Sequence, residues 1–278
     1  MNDRDRPLLV GATAGDPRNA VTIWNAMRHW FNAHGLPIEY ALFSTYDALC
    51  RGLLDGTVDV AWNAPMAHAQ SLIASNGACR TLAMRDTDDR VTTMLIALTS
   101  SGITTLDDVR GRTVAVGVPS SSELRLIPGH QLGAEGFDLE RDCTHADIEP
   151  RPSPNGVRWV DDFLIFDAVR QGTADAGLIF EPWLAHLIRK RGMTPENITV
   201  VWRSQPYCHC AFTARPQLPI GVGDRFVEIL AAMSPDDPRV AEMMKLEHLT
   251  RWLPADESGW TELIDAIHER HLDGTTFS

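Results

Sequence analysis

No apolar stretch of this 278-residue chain reaches the roughly 18 residues that a membrane-crossing helix needs. The opening Met1-Asn2-Asp3-Arg4-Asp5-Arg6-Pro7 is charged and holds no apolar core of a secretory leader. As written, the chain reads as cytoplasmic, and as periplasmic if a leader has been removed. Basic residues are outnumbered, 25 Lys and Arg against 37 Asp and Glu, for a formal net charge of −12. Nucleic-acid binding needs clustered cations against phosphate, and the only dense basic run, Arg189-Lys190-Arg191, reads as a solvated helix end, so nucleic acid is excluded as a partner. Five cysteines are an odd number in a chain long enough to build a core without staples, which favours free thiols. Also missing are a Gly-x-Ser-x-Gly elbow, a Walker loop, His-Glu-x-x-His and a Gly-x-Gly-x-x-Gly after a strand. No cofactor is implied.

Present instead is a regular alternation of strand and helix. Leu8 to Ala12 reads as a strand, and Val21, Trp24, Met27, Trp30 and Phe31 recur at helical spacing. Gly35 and Pro37 punctuate before a strand over Ile38 to Phe43. Thr45 precedes a helix from Tyr46 to Leu54, ended by Gly56, and Val58 to Trp62 is the next strand. Strand Thr92–Leu98 then leads to a crossing point. The scheme repeats with Leu106 to Val109 as helix, Thr113 to Gly117 as strand, Asp161 to Gln171 as helix and Ala174 to Ile179 as strand. Strand Ile198 to Trp202 and a returning strand Tyr207 to Ala214 follow. Closing helices cover Phe226 to Met233 and Trp260 to His268, and Asp147 to Gly156 reads as a surface loop. Gly56 to Ala61 and Gly172 to Gly177 share a Gly-x-x-Asp pattern and look like paired halves. Strand–helix alternation alone also allows a Rossmann-like enzyme.

Five stretches in order carry a resemblance across the whole chain. They are Thr45 to Leu49 with Gly56 to Trp62, Leu106 to Ala115, Pro119-Ser120-Ser121-Ser122 with Pro128, Ala168 to Gly177, and Trp252-Leu253-Pro254 with Trp260. Together they resemble the phosphate, phosphite and phosphonate substrate-binding proteins of ABC transporters. That resemblance implies a two-lobed α/β fold of the type 2 periplasmic-binding-protein kind, each lobe a mainly parallel sheet flanked by helices, with two crossover strands and hinge closure. The expected lobes are 1–98 with 208–278, and 99–207. It further implies a small polar or anionic ligand in the cleft between lobes, and an ABC permease as partner if the chain is exported.

The residues expected to border that cleft are Tyr46, Asn63, His68, Ser121, Ser122, Glu123, Glu181 and His209. Ser121 and Ser122 match hydroxyl positions of the family loop, where helix-start N–H groups receive an anionic head; the plainer role of a serine there is to cap the helix. Glu123 stands where the family has a further Ser and Leu124 where it has a Gly, and a carboxylate there repels a phosphonate. His68 replaces a usual Tyr, and the His that often precedes the helix before Ala168 is absent, with Asp161 and Asp162 nearby. Glu181 follows a strand end, a ligand-facing place in many α/β sheets, or it caps the helix begun by Pro182. Trp62 and Trp183 also follow strand ends and could stack on a ring. Under the alternative of a cytoplasmic decarboxylase or lyase of a small carboxylic acid, Glu123, His68 and His209 would move protons. Tyr207-Cys208-His209-Cys210 is the most unusual tetrapeptide. On a strand Cys208 and Cys210 share one face and His209 takes the other, so no metal set is expected.

Overall fold

In the computed structural model the described residues are 6–14, 17–152 and 158–272. The first lobe holds a six-stranded sheet in the order β13-β4-β12-β3-β1-β2, built from β1 (Leu8–Thr13), β2 (Ile38–Phe43), β3 (Val60–Asn63), β4 (Arg80–Arg85), β12 (Ala211–Ala214) and β13 (Trp252–Pro254). The second lobe holds a five-stranded sheet ordered β11-β5-β10-β6-β7: β5 (Thr93–Leu98), β6 (Thr113–Ala115), β7 (Thr144–His145), β10 (Ala176–Phe180) and β11 (Ile198–Arg203). The expected surface loop holds a short strand, β8 (Arg151–Pro152), which pairs with β9 (Arg158–Trp159) just beyond it; residues 153–156 of the loop lie outside the described set.

Helices flank both sheets: α1 (Pro17–Ala33), α2 (Tyr46–Leu54), α3 (Pro65–Ala74), α8 (Ile220–Ala231), α9 (Ala241–Leu246) and α10 (Thr261–Glu269) follow strands of the first lobe. α4 (Leu106–Val109), α5 (Ile127–Ala134), α6 (Asp162–Gln171) and α7 (Glu181–Lys190) belong to the second. Each sheet is buried on both faces, as a covered α/β sheet requires. In the first, Val10 and Ala12 join one core with Trp24, Phe31, Phe212 and Trp252, while Leu9 faces another with Leu49, Leu53 and Leu72. In the second, Met94 and Ile96 face one core and Leu95 and Ala97 the other.

The sheets are mixed. β1 pairs in parallel with β2 and β3, and β10 with β6, as the β-α-β reading expects. β12 runs antiparallel to β3 and β4, and β5 antiparallel to β10 and β11, because those strands lead out of or back from the other lobe. Compact units split at Asp89/Arg90 and Tyr207/Cys208, and within α10 at Ile264/Asp265. The stretch 90–98, expected in the first lobe, therefore lies in the second: the ladder of β5 with β10 and β11 holds it there. Residues 265–270 also group with the second lobe. Val21, expected on the buried stripe of α1, is 47% exposed; Ala20, four residues before Trp24, takes that place.

The two Gly-x-x-Asp segments do the same work in each lobe. Gly56 and Gly172 sit at φ of 84° and 73°, the left-handed region that only Gly enters cheaply, and so end the turns after α2 and α6. Three residues on, Asp59 N–H donates to Leu9 O (2.8 Å) and its carboxylate accepts from Leu9 N–H (2.9 Å). Asp175 N–H donates to Thr113 O (2.8 Å) and its carboxylate accepts from Thr113 N–H (2.9 Å). Each Asp thus docks the third strand of a unit onto the first. Asp59 adds arginines: it accepts from Arg6 at 2.7 and 2.8 Å and from Arg215 Nε at 2.8 Å. Burial raises its pKa, but these bonds outweigh burial and hold it below the usual carboxylate range. Asp59→Ala should therefore cost about 2–4 kcal/mol in urea denaturation, having stranded two guanidinium groups, against about 1 kcal/mol for Asp175→Ala. Equal losses would refute the pairing.

Candidate functional site

Strand polarity gathers the second-lobe candidates at one sheet edge. The C-terminal ends of β6, β10 and β11 lie there with the N-terminal end of β5, which runs the other way. After β6 the chain folds back tightly, Gly117 N–H donating to Leu124 O at 2.9 Å. A Cβ on Gly117 would stand 2.8 Å from the Cβ atoms of Leu124 and Ser121, so only glycine fits. Ser121 accepts from Leu124 N–H at 3.2 Å and so opens a π-helical turn, Ser122–Leu126, that runs into α5. The cap role is therefore real, and its O–H stays able to donate. Ser122, the first residue of that turn, is 3% exposed.

Thr93 ties this loop to the sheet. Its hydroxyl donates to Glu123 O at 2.7 Å and lies 2.7 Å from the Tyr207 hydroxyl. Next to it, Thr92 bonds the Glu181 carboxylate, Glu181 N–H donates to Thr92 O at 2.9 Å, and Arg203 pairs with Glu181 while donating to Thr92 Oγ1 at 3.3 Å. Glu181 is the first residue of α7 and its charge is met by Arg203. Asp162, at the start of α6, accepts from Phe180 N–H at 2.7 Å. Burial pushes its pKa up to about 7 against that bond, and the nearby charge of Glu123 pushes the same way. Ser121, Ser122, Glu123 and Glu181 are thus brought together. Thr92, Thr93, Asp162 and Arg203 belong with them and were not singled out by sequence, Asp162 having been noted only as a neighbour of a missing His.

The first-lobe candidates divide. Tyr46 opens α2, half-buried, with Thr45 capping that helix through Ala48 N–H at 3.1 Å, and its ring packs onto the core beneath α2. Asn63, at the end of β3, is fully buried; its Nδ2 donates to Thr213 at 3.0 Å, and its Oδ1 has no partner among the described residues. His68, in α3, is also fully buried. Its Nδ1 meets Thr213 Oγ1 at 2.7 Å, its Nε2 meets Thr81 Oγ1 at 3.1 Å, and its ring stands edge-on to Trp260 at 4.5 Å. Burial drops its pKa to about 3, so it is a neutral core histidine with both nitrogens engaged. Expected at a ligand, it has no nitrogen to offer one. Trp62 likewise packs into the core against Phe212 and Trp252, whereas Trp183 is 44% exposed.

His209 lies beside the same Trp260, whose Nε1 donates to its carbonyl at 2.8 Å, at the edge where β4 ends and β12 begins. Residues 208–210 are not strand: the ladder starts at Ala211, and Cys208 N–H and His209 N–H donate instead to Gly259 O (2.8 Å) and Asp88 O (2.9 Å). The alternation expected for Tyr207 to Ala214 is broken there, and His209 and Cys210 converge, Nδ1 to Sγ 3.1 Å. Asp88 meets the same Nδ1 at 3.1 Å and takes Arg85 at 2.5 and 2.9 Å. Burial raises the Asp88 pKa, but His209 and Arg85 together hold it below the usual range.

Asp162 generates a stability test. Between about pH 4 and 7 the native state keeps its proton while the unfolded chain has lost its own, so raising pH through that window destabilises the fold. Asp162→Asn retains an acceptor for Phe180 N–H and abolishes the effect. At pH 8 it should be more stable than wild type by roughly 1–4 kcal/mol, the gap closing by pH 4. A pH-independent gap would refute the assignment.

A family model described as "ABC transporter, phosphonate, periplasmic substrate-binding protein" matches residues 11–260. The phosphate-import protein PhnD of Mycolicibacterium smegmatis is 26% identical over 213 residues, which is 74% of this chain and 63% of that protein's length. Among solved structures, PhnD1 from Prochlorococcus marinus in complex with methylphosphonate superposes with a TM-score of 0.66 at 14% identity, over 95% of this chain and 98% of that one. XAC2383 from Xanthomonas citri bound to ATP gives 0.69 at 16% identity, over 96% and 99%. No helix among the described residues is long and apolar enough to cross a membrane. The match over nearly the whole chain, on a two-lobed α/β fold of the same kind, places this protein in the phosphonate substrate-binding family of ABC transporters.

Proposed function

We propose that this chain is the solute receptor of an ABC importer, and that its solute joins an oxyanion to a hydrogen-bond-donating or cationic group. The observation that carries the reading is the mixed chemistry of the second-lobe sheet edge. The hydroxyls of Ser121 and the buried Ser122 can donate to an oxyanion, as in the family loop. Beside them Glu123 and Asp162 add carboxylates whose mutual charge already disfavours a second ionisation. A doubly charged phosphate would meet repulsion there, little screened by salt where water is excluded. An ammonium or donor group on the same solute would relieve it. The relatives' phosphate, methylphosphonate and ATP share the tetrahedral oxyanion and lend support to that half of the reading. The alternative of a lyase rested on His68, Glu123 and His209 as proton carriers, and it loses His68 to the core.

Calorimetry with phosphate, methylphosphonate, an aminoalkylphosphonate and an alkylsulfonate tests this, each mixture then checked by mass spectrometry. The aminoalkylphosphonate should bind best. Glu123→Ser should weaken it by about 2–5 kcal/mol, the usual cost of truncating one partner of a buried charged pair, while tightening phosphate. Unchanged affinities would make Glu123 a mere helix-end charge, and a new mass in the mixture would revive the lyase.

A further inference from the structure

We propose that Asp88, His209 and Cys210 of the first lobe form a three-ligand site for a zinc ion. One carboxylate oxygen, one imidazole nitrogen and one sulfur lie within 4.8 Å of one another. The His209 Nδ1 is 3.1 Å from both Asp88 Oδ1 and Cys210 Sγ. Such separations suit donors ranged round one ion at about 2.0–2.3 Å, and Asp, His and Cys are the three side chains zinc favours. Asp88 is buried and His209 and Cys210 are half-buried, which leaves an approach for a small ion and a fourth position for water.

The geometry around the donors is held from outside. Arg85 grips Asp88 through Nε to Oδ2 at 2.5 Å and Nη2 to Oδ1 at 2.9 Å, and is itself tied to Glu247 at 2.9 Å. The His209 backbone is fixed at both ends, its N–H on Asp88 O at 2.9 Å and its C=O accepting from Trp260 Nε1 at 2.8 Å. Metal sites use outer partners of this kind to fix ligand orientation. Arg85 also sets a cost, since its positive charge opposes the ion; as the sulfur binds, the Cys210 thiol gives up its proton, so the charge added is one rather than two, and the zinc–thiolate bond offsets the cost of deprotonation. The net change is one zinc gained and one thiol proton released. The loaded site would clamp the end of β4 to the start of β12, the two points where the chain leaves and re-enters this lobe.

The test starts from chelator-treated protein titrated with zinc against a chromophoric chelator. One equivalent should be taken up, with proton release and a rise in Tm. Cys210→Ser and His209→Gln should each weaken uptake by more than the roughly 10–100-fold that follows loss of an outer partner. Cobalt in place of zinc should give a thiolate charge-transfer absorption that Cys210→Ser removes and Cys143→Ser leaves, which separates this thiol from the others even if a variant is less stable. No stoichiometric uptake, or a cobalt–thiolate band that survives in Cys210→Ser, would overturn the site.

Discussion

The insertion of β12 between β3 and β4 is the interaction on which the first lobe depends. A strand arriving from the other lobe enters a sheet whose first four strands, β1 to β4, were laid down more than a hundred residues earlier. Until it pairs, β3 and β4 each present an open row of N–H and C=O groups, a costly state for strands buried on both faces. Its two faces then do different work. Phe212 completes the aromatic core with Trp24, Trp62, Phe226 and Trp252, and Thr213 supplies the hydroxyl that Asn63 and His68 share. The polar cluster under α3 is a buried network held largely by one threonine, with Asn63 Oδ1 left without a partner among the described residues.

That dependence separates the two lobes in kind. The first engages both nitrogens of His68 and the Nδ2 of Asn63 internally, whereas the second keeps hydroxyls and carboxylates at its sheet edge. Thr92 and Thr93 place one side chain toward Glu181 and Arg203 and the other toward Glu123 O and Tyr207. Crowding three carboxylates near two serines is unfavourable unless something compensates. Arg203 compensates Glu181, and the retained proton of Asp162 compensates Glu123.

Periodicity, caps and turn residues determined the elements. Thr45, Asp161 and Gly172 marked helix ends that the structure reproduces, and Gly-x-x-Asp marked a repeated docking contact whose partners, Leu9 and Thr113, lie at the start of each unit's first strand. These signals are local, set by backbone conformation and by hydrogen bonds within a few residues, and so survive in a one-dimensional pattern. Motif order across the chain likewise fixed the family, since five short stretches in sequence constrain the topology that none constrains alone. Pairing decided the rest. Whether β5 belonged to the first or the second lobe turned on hydrogen bonds to strands about 80 to 110 residues away, and no apolar run distinguishes the two partners. His68 carries the same sequence signal as a ligand-facing histidine, and only the threonines that β4 and β12 bring to its two nitrogens show it to be core. Cys208 to Cys210 reads as strand by composition, yet backbone bonds to Asp88 and Gly259 bend it and turn His209 and Cys210 to one point. Those partners are distant in sequence, and side-chain direction at a strand's end depends on them rather than on the residues themselves.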